Sequence, residues 1–111
     1  MKMKVKYRVK SHQDFQKVIR GNKKKYGHSY IVYSSPNAYG YPRFGISTPK
    51  RLGNAVVRNR IRRQVRAMLR EMTEGRKGTD YVIVVKNAYS ENEYKKNYED
   101  LKSVLDQIKE D

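Results

Sequence analysis

Cysteine is absent from the 111 residues, which excludes a disulfide framework, a thiolate zinc site and a thiol nucleophile. An intracellular, cytoplasmic location fits that absence. Histidine occurs only at His12 and His28, each isolated from the acids or further histidines that a general base or metal ligand needs. No run approaches the roughly 18 apolar residues of a membrane span, and the charged start lacks the apolar stretch of a signal peptide, so a soluble protein is expected. Acid is the most telling shortage. Residues 1–70 hold nineteen Lys or Arg against Asp14 alone, whereas residues 71–111 hold ten acids and seven bases. The net charge of +15 thus sits on the first two thirds of the chain. Such asymmetry points to a nucleic acid or an anionic membrane surface, and to binding that weakens steeply with salt.

What is present concentrates in residues 50–70, KRLGNAVVRNRIRRQVRAMLR, with eight cations and no acid. At 3.6 residues per turn, Arg58, Arg62, Arg66 and Arg70 form one row, with Asn59 and Arg63 beside it. Ile61, Val65, Met68, Leu69 and Met72 make the adjoining apolar stripe. One face packs and the neighbouring face binds. Like charges at i, i+4 each cost about 0.2–0.5 kcal/mol in an isolated helix, and a partner supplying phosphates would reverse that sign. A solvated helix face normally mixes both signs, so nucleic acid is the favoured partner. Lys50, Arg51 and Asn54 lead into the helix N-terminus, where backbone N–H groups suit a single phosphate. The Gly-rich pattern of a P-loop is missing.

The length suits one domain, residues 1–111, with a modest core. Residues 1–10 alternate basic and apolar and read as an extended basic arm. Ser11 is placed to cap a helix over 12–20 with Phe15, Val18 and Ile19 on one face. Asp14 reads as a helix-start residue with a salt bridge. Residues 22–25 form a basic loop. Strands are predicted over 29–35 and 41–48, joined as a hairpin through 36–41. The second strand places Phe44, Ile46 and Thr48 on one side and Arg43, Gly45 and Ser47 on the other. The basic helix is expected over 55–73 with Asn54 as N-cap, and Gly75 and Gly78 mark its exit. Residues 81–86, YVIVVK, are apolar throughout, as in a central strand. A last helix carries Tyr94, Tyr98, Leu101, Leu105 and Ile108 at helical spacing, with Glu91, Glu93, Glu99, Asp100, Asp106 and Glu110 on a solvated face. The order α-β-β-α-β-α is an α+β sandwich of helices against one small sheet.

Convergent catalytic groups are lacking, whereas tyrosines mixed with cations suit single-stranded RNA. Phe15 and Ile19, with Tyr30 or Tyr33, fit both a helix-to-sheet core and a stacking surface.

The string Gly53-Asn54-Ala55-Val56, then Arg58-Asn59-Arg60, then Arg62, Arg63 and Arg66, resembles the signature of the bacterial ribonuclease P protein component. The likeness extends from residues 14–18 through Tyr30 to Tyr33 and residues 44–47 to residues 80–84. It implies a protein subunit of an endoribonuclease that removes the 5′ leader of precursor tRNA, with chemistry by the RNA subunit and its Mg2+, and no metal held by the protein. It implies broadened substrate recognition and a lowered magnesium demand. It also implies a mixed sheet with a left-handed β-α-β crossover, an exception to the usual hand. Carried over by position, Phe15, Ile19, Tyr33, Arg58, Asn59, Arg62 and Lys86 would bind the leader. Lys50, Arg51, Asn54, Arg60, Arg63, Arg66 and Arg70 would meet the ribonuclease P RNA. Two departures stand out: Ile19 replaces a frequent second aromatic, and Lys86 leads into Asn87-Ala88-Tyr89 where a Lys-Pro is usual. A ribosomal-type RNA-binding protein would share the composition without the string. A DNA-binding helix-turn-helix needs two adjacent helices where this chain has strands.

Overall fold

The apolar run around Tyr81 takes the centre of the sheet, as its unbroken character requires. In the computed structural model, which describes residues 4–108, the chain runs α1 (His12–Arg20), β1 (Lys24–Tyr26), β2 (Tyr30–Pro36), β3 (Arg43–Ser47), α2 (Ala55–Arg70), β4 (Thr79–Val85) and α3 (Tyr94–Gln107). The sheet order is β1-β2-β4-β3. β4 pairs antiparallel with β2 and parallel with β3, and α2 joins the parallel pair as a β-α-β unit.

This order corrects the expected hairpin. β2 and β3 do follow one another through residues 37–42, but β4 lies between them and takes the hydrogen bonds of both. An apolar strand gains most by burying both faces and both edges, so the less apolar β3 is left at the margin. The expected basic loop at 22–25 is also partly strand: Lys24 pairs opposite Tyr33 and Tyr26 opposite Ile31. Lysines on a short edge strand are a common guard against further pairing.

Side-chain alternation gives the sheet two different faces. Tyr30 and Val32 of β2, Phe44 of β3, and Tyr81, Ile83 and Val85 of β4 meet Ile61, Val65, Met68 and Leu69 of α2 and Leu101, Val104 and Leu105 of α3 in one core. The stripe read from the sequence is the buried side of α2. The opposite face carries α1, with Val18 buried on the helix and Val82 buried on β4. Ser11 caps α1 by accepting from the Asp14 N–H at 3.0 Å, and Asn54 caps α2 by accepting from the Val57 N–H at 3.0 Å. Gly53 enters that cap at φ +140°, where an added Cβ would meet Val57 at 3.1 Å. α2 ends at Arg70 rather than residue 73, although Met72 stays in the core.

The N-terminal arm is less regular than its alternation predicts. Residues 1–3 lie outside the described residues, and Val5–Tyr7 form a single 3-10 turn. Only the next step is extended: the Val9 N–H donates to the Phe44 carbonyl at 2.9 Å, using the free edge of β3. The last helix also departs from expectation at Asp100. Its carboxylate accepts from the His28 and Ser29 N–H groups at 3.1 and 2.8 Å, holding the β1–β2 turn rather than facing solvent. Glu110 lies outside the described residues.

Candidate nucleic-acid interface

Arg43 opens β3 on the face that carries α1, and two carboxylates meet it there. Its Nε and one terminal nitrogen donate to Asp80 at 2.9 and 2.7 Å, and that same terminal nitrogen reaches Asp14 of α1 at 3.3 Å. Hydrogen bonding to Asp80 raises the Arg43 pKa above its ordinary value despite burial. Asn37 donates to the same Asp80 carboxylate at 2.8 Å. Asp14 is therefore the helix-start salt-bridge residue that its position implies, and the bridge fixes α1 across the sheet. Two residues on, Gly45 lets the helix come close: a Cβ there would lie 2.8 Å from the Phe15 ring.

Between α1, the β3 edge and α2 lies a cleft of about 380 Å³, lined by Arg8, Val9, Phe15, Phe44, Gly45, Ile46, Arg62 and Arg66. Its lining holds three arginines, two phenylalanines and no acid. Arg62 is aimed by neutral partners, donating to Thr48 Oγ1 and to Asn59 Oδ1 at 2.8 Å. Burial lowers the Arg66 pKa from its ordinary value, and the nearby charges of Arg8 and Arg62 add to the shift. One turn before Arg62, the half-buried Arg58 has an Nε shielded from solvent with no hydrogen-bond partner. A phosphate would relieve both the crowding and the missing partner.

The structure gathers some of the expected residues here and disperses others. Phe15 and Arg62 line the cleft together, with Asn59 orienting Arg62. Arg66, expected to face the RNA subunit, lines the same cleft. Ile19 lies one turn further along α1, half-buried and outside the lining. Tyr33 is on the α1 face but two strands from Gly45, with the Lys24 ammonium 5.6 Å from its ring centre. Lys86 follows β4 and donates to the Gly27 carbonyl at 3.3 Å. Arg60 projects to the other flank of α2, beside Gln64, Tyr89 and Tyr94. Lys50, Arg51 and Arg63 are exposed, Arg70 ends the helix half-buried, and Asn54 is committed to the cap.

Arg8, Gly45 and the Arg43–Asp80 pair were not singled out as site residues by sequence reasoning. Gly45 carried a usable signal, since a glycine inside a strand often marks a close approach. The unusual segment after β4 has its own explanation. Tyr89 is buried, packs edge-on to Tyr30 at 5.9 Å and donates to Gln64 of α2 at 2.6 Å, so it ties this turn to the basic helix. Burial raises its pKa, which keeps the hydroxyl a donor.

The family model described as ribonuclease P matches residues 3–109. The chain belongs to the ribonuclease P protein family. It is 34% identical over 105 residues to the ribonuclease P protein component of Mesoplasma florum, covering 93% of this chain and 96% of that one. It is 37% identical over 103 residues to that of Streptococcus mutans, covering 93% and 87%. The Staphylococcus aureus RNase P protein structure superposes with a TM-score of 0.83 at 28% identity, covering 90% of this chain and 93% of that one. That of Thermotoga maritima gives 0.82 at 25%, covering 93% and 98%. Family membership makes the chain an RNA-binding subunit of a ribonuclease ribonucleoprotein that processes tRNA. No helix among the described residues is long and apolar enough to cross a membrane.

Proposed function

We propose that the chain binds the single-stranded 5′ leader of precursor tRNA in the cleft between α1, β3 and α2, and binds the ribonuclease P RNA through the outer cations of α2. The observation that carries this reading is the cleft itself, with three arginines, the half-buried Phe15 and no acid. A leader would place phosphates on Arg8, Arg62 and Arg66 and a base against Phe15. Ile19 would pack on a neighbouring base, and Tyr33 would offer a further ring on the same face of the sheet. Lys86 would add charge at the far end of β4. Arg58 and Asn59 stand one turn before Arg62 and complete that row. Lys50, Arg51, Arg60, Arg63 and Arg70, around the helix start capped by Asn54, would face the RNA subunit.

In this reading the protein supplies binding and orientation while the RNA subunit supplies chemistry. Among the described residues no three His, Asp or Glu side chains converge as a metal site. The carboxylates nearest the cleft, Asp14 and Asp80, are both taken by Arg43. On this reading these carboxylates are spent on structure, and Mg2+, which takes oxygen ligands, falls to the RNA. Magnesium would be held by the RNA subunit and substrate, and the protein's cations would lower the demand for it by neutralising phosphate.

The test is Arg62→Ala in the reconstituted complex. Affinity for precursor tRNA should fall by about 1.5–3 kcal/mol, the worth of a charge-assisted hydrogen bond, with little change for mature tRNA. Equal losses for both would reassign Arg62 to the RNA subunit.

A further inference from the structure

A second cluster of rings and cations adjoins the cleft. The loop between β2 and β3 presents Tyr39 and Tyr41, with ring centres 5.7 Å apart. The 3-10 turn at the N-terminus adds Tyr7, edge-on to Tyr41 at 5.8 Å. The Lys6 ammonium lies 4.9 Å from the centres of both the Tyr7 and Tyr41 rings. Tyr39 covers the Arg43 guanidinium at 4.3 Å yet remains 53% exposed. One side of its ring is used and much of the remainder is open.

Two chain connections tie this cluster to the cleft. Tyr7 directly precedes Arg8 and Val9, and Arg43 directly precedes Phe44 and Gly45, all four of which line the cleft. The neighbouring Lys4 and Lys6 are exposed. An open tyrosine face, a cation within reach and a path leading from a basic cleft together match what single-stranded nucleic acid requires. Stacking is tolerant of base identity, and the ammonium groups follow the backbone. A protein partner would want the apolar centre and depleted charge of a typical interface; this patch is rings set among lysines.

We propose that Tyr39, Tyr41, Tyr7 and Lys6 form a second platform for single-stranded RNA, taking leader nucleotides that extend beyond the cleft. The inference rests on the cleft being the leader site. The platform makes leader length a determinant of affinity: each added nucleotide improves binding until the tyrosines are covered, and then no further.

The experiment uses the reconstituted complex and precursor tRNAs whose leaders are lengthened one nucleotide at a time. Wild-type affinity should rise with length and then level off. With Tyr39→Leu, which keeps an apolar cover over Arg43, the plateau should arrive at a shorter leader, and affinity for the longest leaders should drop about fivefold or more. Tyr39→Phe should restore the wild-type plateau. An unmoved plateau in Tyr39→Leu overturns the platform. A loss of equal size at every length also overturns it, since Tyr39 would then be acting through Arg43 and the seat of α1. A thermal melt of the same variant separates loss of fold from loss of stacking. Arg62→Ala distinguishes the two proposals. Loss at the shortest leaders with an unmoved Tyr39→Leu plateau leaves the cleft standing and removes the platform. Affinity independent of leader length in every chain removes the cleft reading itself, and the platform with it.

Discussion

Arg43 and Arg62 carry the same side chain on two sides of one strand and live in opposite surroundings. Arg43 is 7% exposed and held by Asp80 and Asp14; its partners are charged and belong to the protein. Arg62 is held by Thr48 and Asn59, which are neutral and leave its charge uncompensated. Arg66 goes further, crowded by Arg8 and Arg62. The difference lies in the supply of acid. Where carboxylates are provided, arginine fastens α1 to the sheet; where they are withheld, arginine keeps a net charge that the proposed leader phosphates would meet. Asp14 is the sole acid of the first 70 residues, and it goes to the fastening.

The contrast can be broken most severely at Asp80. Asp80→Ala leaves Arg43 buried with only the partly exposed Asp14, and breaking such a pair costs about 3–5 kcal/mol. Urea unfolding in the presence of sulfate should report a loss of that size; a loss no larger than a surface pair gives would demote the network to decoration. Replacing the whole network with apolar side chains of similar volume should cost far less.

Gly45 joins the two regions and should respond next. Gly45→Ala puts a Cβ against the Phe15 ring at 2.8 Å, an overpacking worth about 1–3 kcal/mol. Because the ring that moves lines the cleft, precursor tRNA binding should fall while mature tRNA binding holds. Unchanged precursor affinity would place Phe15 outside the leader path.

On the cleft side the expected stability effect is small and is read by its sign. Arg66→Ala relieves the i, i+4 repulsion with Arg62, a gain of about 0.2–0.5 kcal/mol. The same change should lower the slope of log affinity against log salt by about 0.7 for single-stranded RNA. Lost stability with an unchanged slope would make Arg66 structural. Far from the cleft, the exposed Asp106 carboxylate meets the exposed Lys102 and the largely buried Arg76. Hydrogen bonds from Lys102 and Arg76 hold the Asp106 carboxyl below its ordinary value. Its contribution is therefore present at neutral pH and is lost as pH falls through that depressed pKa. Asp106→Ala should cost at most about 1 kcal/mol at neutral pH and nothing in strong acid.

Much of this arrangement could be read from the sequence, and the limits have physical causes. The α2 stripe was legible because helical spacing and burial coincide at Ile61, Val65, Met68 and Leu69. Ser11 and Asn54 were legible as caps because a short side-chain oxygen at that position has one obvious donor to satisfy. The central place of β4 followed from its unbroken apolar run. Strand neighbours were not legible: alternation in 41–48 says which side chains share a face, not which strand supplies the hydrogen bonds, so the hairpin was a wrong inference. The β1 lysines hid a strand because edge position tolerates charge. Within the site, the Arg58-Asn59-Arg60 string lies on the helix whose Arg62 and Arg66 line the cleft, while Arg60 turns to the opposite flank. Arg43 could not be told from Arg62 by letter, since the carboxylate that distinguishes them, Asp80, lies 37 residues away.

The proposed division of labour gives this chain leader and RNA binding and gives the RNA subunit the chemistry. Cleavage of precursor tRNA at low magnesium tests it most directly, with the RNA subunit alone, this chain alone, and both. Strong 5′-leader removal only when both are present is the predicted result. Cleavage by the chain alone, free of contaminating RNA, or no stimulation when the two are combined, would contradict it.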